Sequence, residues 1–134
     1  MRNLQTVTSW LITILCFSAQ TVLAAGKAQV DVSAKATPDK HVELTFKTSP
    51  AEGLSINPEG PWNLKITDAG GLKFDKMELK RAEWNDKING FTASATPAKE
   101  KTGIIKYKLV AFVCTKDKTQ CFREVVENEA KVSW

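Results

Sequence analysis

Two residues in this sequence have both the type and the spacing for covalent chemistry: Cys114 and Cys121, with six residues between them. Between them runs Thr115-Lys116-Asp117-Lys118-Thr119-Gln120, a polar stretch with turn character, and apolar runs lie on both sides. That pattern places the two sulfurs at the mouth of a β-hairpin. In an oxidising compartment such a pair joins as a disulfide. Closing a loop of about eight residues stabilises by about 2.5 kcal/mol on chain entropy, a modest return for a turn that forms anyway. A short-span disulfide can also pass electrons to another thiol protein. Lys116, Lys118 and Arg123 favour a thiolate nearby, while Asp117 and Glu124 oppose it. The spacing is not the two-residue gap of thioredoxin-like sites. On the residues alone, a structural clip and a redox pair both stand.

Other chemistries find fewer parts. His41 is the single histidine and sits on the outward face of its segment, so a blue-copper site, which takes two histidines and a cysteine, cannot be assembled. A Ser-His-Asp or Cys-His set would need His41 beside a nucleophile, and nothing near it in sequence supplies one. No Gly-rich phosphate loop and no zinc spacing occurs, so no cofactor or metal is expected. The carboxylates Glu127 and Glu129, or Asp31 and Asp39, read as solvated surface groups, and Trp62, Trp84 and Trp134 as core.

The cysteines draw their meaning from the compartment. Arg2 is the only charged residue before Lys27. An apolar run over residues 10–17 follows, then Val22-Leu23-Ala24-Ala25. A basic start, a short apolar run and a small-residue end make a secretory signal over residues 1–24, cut after Ala24, with Ala25 as the near alternative. The run falls short of the about 20 residues that span a bilayer. Cys16 lies within this run and leaves Cys114 and Cys121 as the cysteines of the mature chain.

Of the 134 residues, 43% are apolar and 25% charged, which fits one globular domain and excludes a disordered chain. Loss of the leader removes one arginine and no acid, leaving 18 basic against 15 acidic residues, a net charge of +3. Lysines and acids are interleaved, as in Lys76-Met77-Glu78-Leu79-Lys80-Arg81-Ala82-Glu83, whereas a nucleic-acid surface needs a basic stripe. The 110 residues of 25–134 bury enough surface for one core.

The elements that must position the cysteines follow a period of two. Val42, Leu44 and Phe46 share one face of a strand; so do Trp62, Leu64 and Ile66, then Phe91, Ala93 and Ala95. The longest run, Gly103 to Cys114, points Ile105, Tyr107, Leu109, Ala111 and Val113 one way. Its other face turns from Lys106 and Lys108 to Val110 and Phe112, which predicts a central strand covered at its far end. Gln29 to Ser33 opens the domain and Ala130 to Trp134 closes it, and Lys76 to Trp84 reads as a strand. Pro-Asp, Ser-Pro, Asn-Pro, Gly-Gly and Asn-Gly turns separate these runs. Seven or eight short strands predict an all-β, antiparallel sandwich or barrel in one domain.

Gly53-Leu54-Ser55-Ile56-Asn57-Pro58-Glu59-Gly60-Pro61-Trp62, the strand ending Ala111-Phe112-Val113-Cys114, and Gln120-Cys121 together resemble the N-terminal domain of the thiol:disulfide interchange protein DsbD and its stand-alone exported relatives. The likeness runs from about His41 to Trp134. It implies an immunoglobulin-like β-sandwich in the bacterial periplasm, with Cys114 and Cys121 as the redox pair that exchanges electrons with a periplasmic or envelope protein partner. Phe112 and Phe122 flank the pair as candidate shields. The rival reading is a non-enzymatic interaction module in which the disulfide is only a clip.

Overall fold

The computed structural model describes residues 26–134. The expected secretory signal, residues 1–24, lies outside the described residues. Within them, alternation of apolar and polar side chains becomes strand after strand. β1 (Ala28–Ala36), β2 (Val42–Pro50) and β7 (Gly90–Pro97) form one antiparallel sheet, edged by β5 (Leu72–Phe74), in the order β1-β2-β7-β5. β4 (Asn63–Asp68), β8 (Thr102–Thr115) and β9 (Cys121–Ser133) form the other, in the order β9-β8-β4, edged by β6 (Glu78–Lys80). The short β3 (Leu54–Ile56) continues along β8 where β4 ends, on the side away from β9.

The six central strands have the immunoglobulin arrangement: β1-β2-β7 faces β9-β8-β4 as strands A-B-E face G-F-C. The edges differ. The chain adds β5 beside β7 before it adds β6 beside β4, whereas an immunoglobulin chain completes its C sheet edge first. The antibody bridge between strands B and F is absent too, since the disulfide joins β8 to β9.

The inward faces are those the alternation marks. Val42, Leu44 and Phe46 on β2 and Phe91, Ala93 and Ala95 on β7 are buried against Leu64 and Ile66 on β4 and the odd-numbered residues 105–113 of β8. Register places small Ala93 beside Leu44 and small Ala95 beside Val42, so large and small side chains interlock. Phe46 and Tyr107 meet edge to face across the sheets at 5.3 Å. At one end Trp62 and Trp84 stack at 3.9 Å, and Phe91 packs against Trp84 edge-on.

Three local expectations need correction. Lys76 to Trp84 is not one strand: pairing stops at Lys80, and a 3₁₀ turn spans Arg81–Glu83. Glu83 causes the change, because its carboxylate accepts from the Lys80 backbone N–H and from Lys76 Nζ, curling the chain back. Among the described residues nine strands stand in place of seven or eight, since Leu54–Ile56 and Leu72–Phe74 pair where turn residues dominate the sequence. His41 precedes β2 rather than lying on it, and it is half-buried, its carbonyl accepting from Thr37 N–H.

Among the described residues four buried side-chain polar atoms have no partner: His41 Nδ1, Thr48 Oγ1, Trp84 Nε1 and Trp134 Nε1. Thr48 on β2 is 1% exposed and its Oγ1 has no partner. A hydroxyl in that state costs more than it returns, so the near-isosteric Thr48→Val should raise stability by about 1 kcal/mol. Urea denaturation checks this, and a destabilised variant would contradict it.

Candidate functional site

Cys114 ends β8 and Cys121 starts β9, and the ladder sets them directly opposite one another. The Thr115 N–H bonds to the Gln120 carbonyl at 2.8 Å, which makes the cysteine pair a closely spaced, non-hydrogen-bonded pair with a Cα separation of 4.0 Å. Their sulfurs are joined, at 2.09 Å. The two sulfurs differ sharply in access. Cys114 is 5% exposed, while Cys121 is on the surface.

The hairpin holds itself without the bridge. Asp117 accepts from Thr115 Oγ1 at 2.6 Å, from Thr119 N–H at 3.1 Å and from Thr119 Oγ1 at 2.9 Å. These donors hold its carboxyl below the usual carboxylate range, with the Thr115 hydroxyl contributing most. Lys118 completes the turn in the left-handed region at φ 59°, its N–H bonding to the Thr115 carbonyl.

A roof covers Cys114. Odd-numbered β8 residues face the core, so Phe112 and Cys114 lie on the outer face, where the Asn57-Pro58-Glu59-Gly60 turn folds over them. Asn57 N–H bonds to the Phe112 carbonyl, Asn57 Oδ1 takes the Glu59 N–H, and the Asn57 carbonyl takes Trp62 Nε1–H at 2.7 Å. Gly60 is required here, because a Cβ would overlap the Phe112 ring. The buried Trp62 therefore anchors the roof to the core. Between roof and hairpin lies a groove of about 310 Å³, lined by Ile56, Asn57, Pro58, Lys118 and both cysteines.

The sequence brings the two cysteines together correctly but assigns their shields wrongly. Phe122 follows Cys121 and so points to the opposite face of β9, where Lys27 Nζ sits 4.9 Å from its ring. Phe112 shares the face of Cys114, yet it is engaged by Gly60 and by Trp62 at 6.0 Å. The residues that line the groove beside the two sulfurs include Asn57 and Pro58. Their signal was present as an Asn-Pro-x-Gly turn, with an Asn that reaches its own backbone two residues on and a Pro that presets the bend.

The charges also resolve. Asp117 is turned into the hairpin loop, and Glu124, on the inward face of β9, accepts the Lys27 backbone N–H at 2.9 Å. Lys118 lines the groove with both sulfurs, and Arg123 shares the outer face of β9 with Cys121. Lys118 shares the groove with one acid, Glu59, while Asp117 and Glu124 are engaged elsewhere.

His41 is remote from this site in the β1–β2 turn, beside Asp39 and Thr37, whose hydroxyl donates to the Asp39 carboxylate and holds it below the usual range. Among the described residues no group of three His, Cys, Asp or Glu side chains could hold a metal ion, and no helix is long and apolar enough to cross a membrane. No protein-family model, curated protein or solved structure matches the chain.

Proposed function

We propose that this domain exchanges electrons with a protein partner through Cys114 and Cys121 in an oxidising compartment outside the cytosol, the periplasm on the reading of its leader as a secretory signal. The likeness to the DsbD N-terminal domain belongs to this proposal and rests on the motif residues. The observation that carries it is the asymmetry of the pair: one sulfur open to a partner, the other buried beside Asn57 and Pro58, in a hairpin already closed by its own hydrogen bonds.

In the reduced domain the exposed Cys121 is the attacking thiolate, favoured by Lys118 and Arg123. It attacks one sulfur of the partner's disulfide; that bond breaks, a Cys121–partner bond forms, and the partner's second sulfur leaves as a thiolate and takes a proton from water. Cys114, as thiolate, then attacks Cys121 Sγ, re-forms the internal bridge and releases the partner's cysteine. The partner's disulfide gains two electrons and the domain loses two, which a dithiol protein donor must restore.

The rival reading is an interaction module clipped by an inert bridge, and the burial of Cys114 is the observation in its favour. Reduction separates the two. An exchanging domain must remain folded as a dithiol, so reduction should lower stability by no more than about 2.5 kcal/mol, the full loop-closure term. Denaturation of the domain with and without dithiothreitol measures it. Unfolding on reduction would defeat the exchange reading.

A further inference from the structure

One row of backbone groups on β1 and one on β9 have no strand partner. The Thr115–Gln120 bond fixes the phase of the β8–β9 ladder. Even-numbered residues of β9 exchange bonds with β8, so the N–H and C=O groups of Cys121, Arg123, Val125 and Glu127 point away from it. On β1, the bond from Ala51 N–H to the Lys27 carbonyl sets the opposite phase. There Ala28 and Val30 turn their groups away from β2. Among the described residues no backbone bond joins β1 to β9. Between them is an open slot of about 450 Å³, lined by residues 28–31 and 124–128. Its charged lining side chains are Asp31, Glu124 and Glu127, all acidic. Cys121 lies at the end of this free edge.

Resting on the exchange reading above, we propose that the partner presents its cysteine on an extended, basic segment that adds to the β9 edge as a further strand, with that cysteine opposite Cys121. The geometry brings the sulfurs together without adjustment. A residue opposite Cys121 on an added antiparallel strand occupies a hydrogen-bonded position, with a Cα separation of about 5.5 Å and its side chain on the same face. A disulfide spans Cα separations of about 4.4–6.8 Å. Main-chain pairing therefore does the positioning, and side chains supply the choice of partner, as in other strand-addition complexes. A basic residue six positions from the cysteine falls opposite Glu127 on that face, given the period of two.

The probe is a short extended peptide with one cysteine and a lysine six positions before it, its cysteine blocked as a disulfide with the coloured thiol nitrothiobenzoate. The reduced domain should release colour from it about tenfold faster than from a copy N-methylated on the amides that face β9, the effect of one or two lost hydrogen bonds. Val125→Pro removes an outward N–H but no bond to β8, as edge positions allow. It should slow the peptide about tenfold and leave the symmetric small-molecule nitrothiobenzoate disulfide unaffected. Glu127→Lys should slow the lysine peptide and spare an uncharged one. Equal rates for the methylated and unmethylated peptides overturn the proposal. Binding is read separately on the oxidised domain, with serine in place of the peptide's cysteine, as hydrogen-exchange protection of the Arg123 and Val125 amides. Protection with no reaction towards any disulfide defeats the exchange reading and keeps the docking edge. Reaction with the small disulfide and no protection defeats the docking edge alone.

Discussion

On the proposed exchange, Cys114→Ser should accumulate a covalent complex between Cys121 and the partner, and Cys121→Ser should accumulate none. Both variants should lose turnover to background, so activity alone does not separate them; the trapped species does. The reason is access. Cys121 is on the surface beside Arg123, and Cys114 is 5% exposed beneath the Asn57–Gly60 turn. A thiolate must reach its target sulfur, so the exposed residue attacks and the buried one resolves. Removing the resolving cysteine stops the reaction at the mixed disulfide. Removing the attacking one prevents it from starting. Non-reducing electrophoresis after alkylation reads both outcomes, and a complex trapped through Cys114 would reverse the assignment.

The second large effect is on stability. Trp62→Ala should cost about 3–5 kcal/mol, a large part of the about 5–15 kcal/mol that holds a domain of this size. Trp62 is 1% exposed, stacks on Trp84 at 3.9 Å and meets Phe112 edge-on. The same side chain holds the Asn57 carbonyl through Nε1 at 2.7 Å. The substitution should therefore also loosen the cover of Cys114 and speed reduction of the disulfide by a small thiol. Trp62→Phe keeps most of the packing and loses the hydrogen bond, so it should speed reduction with a smaller loss of stability. Chemical denaturation and the rate of reduction by dithiothreitol measure the two effects. A Trp62→Phe variant reduced at the parent rate would remove Trp62 from the account of the site while leaving it in the core.

Much of the scaffold could be read along the chain because each long strand is amphipathic on its own. Val42, Leu44 and Phe46, or Ile105 through Val113, announce their buried face by period alone. The paired cysteines were legible for a similar reason, since a hairpin is a local event and its turn residues lie between them. What escaped depends on contacts between distant segments. β3 and β5 have three residues each and owe their extended form to β8 and β7, not to their own composition. The roof over Cys114 joins residues 57–60 to Phe112, and no pattern within either segment predicts that meeting. Phe122 is next to Cys121 in sequence but not beside its sulfur, because adjacent residues on a strand face opposite ways. The slot between β1 and β9 joins the two ends of the described domain, and only the sandwich brings them together.

The same sandwich explains why the disulfide is where it is. An immunoglobulin-like core of this size closes without an internal bridge, as the packing of Phe46, Tyr107 and the Trp62–Trp84 stack indicates. A bridge at the β8–β9 hairpin adds little to that core. It does set two sulfurs at one end of the domain, one of them at a free sheet edge.

The reduction potential of the Cys114–Cys121 couple tests this account most directly. Equilibration of the domain with glutathione redox buffers, read by alkylation, gives the value. An exchanging pair lies above about −300 mV, within reach of thiol protein donors, and that is the expected result. A potential well below about −300 mV would make the bridge an inert clip and contradict the central claim.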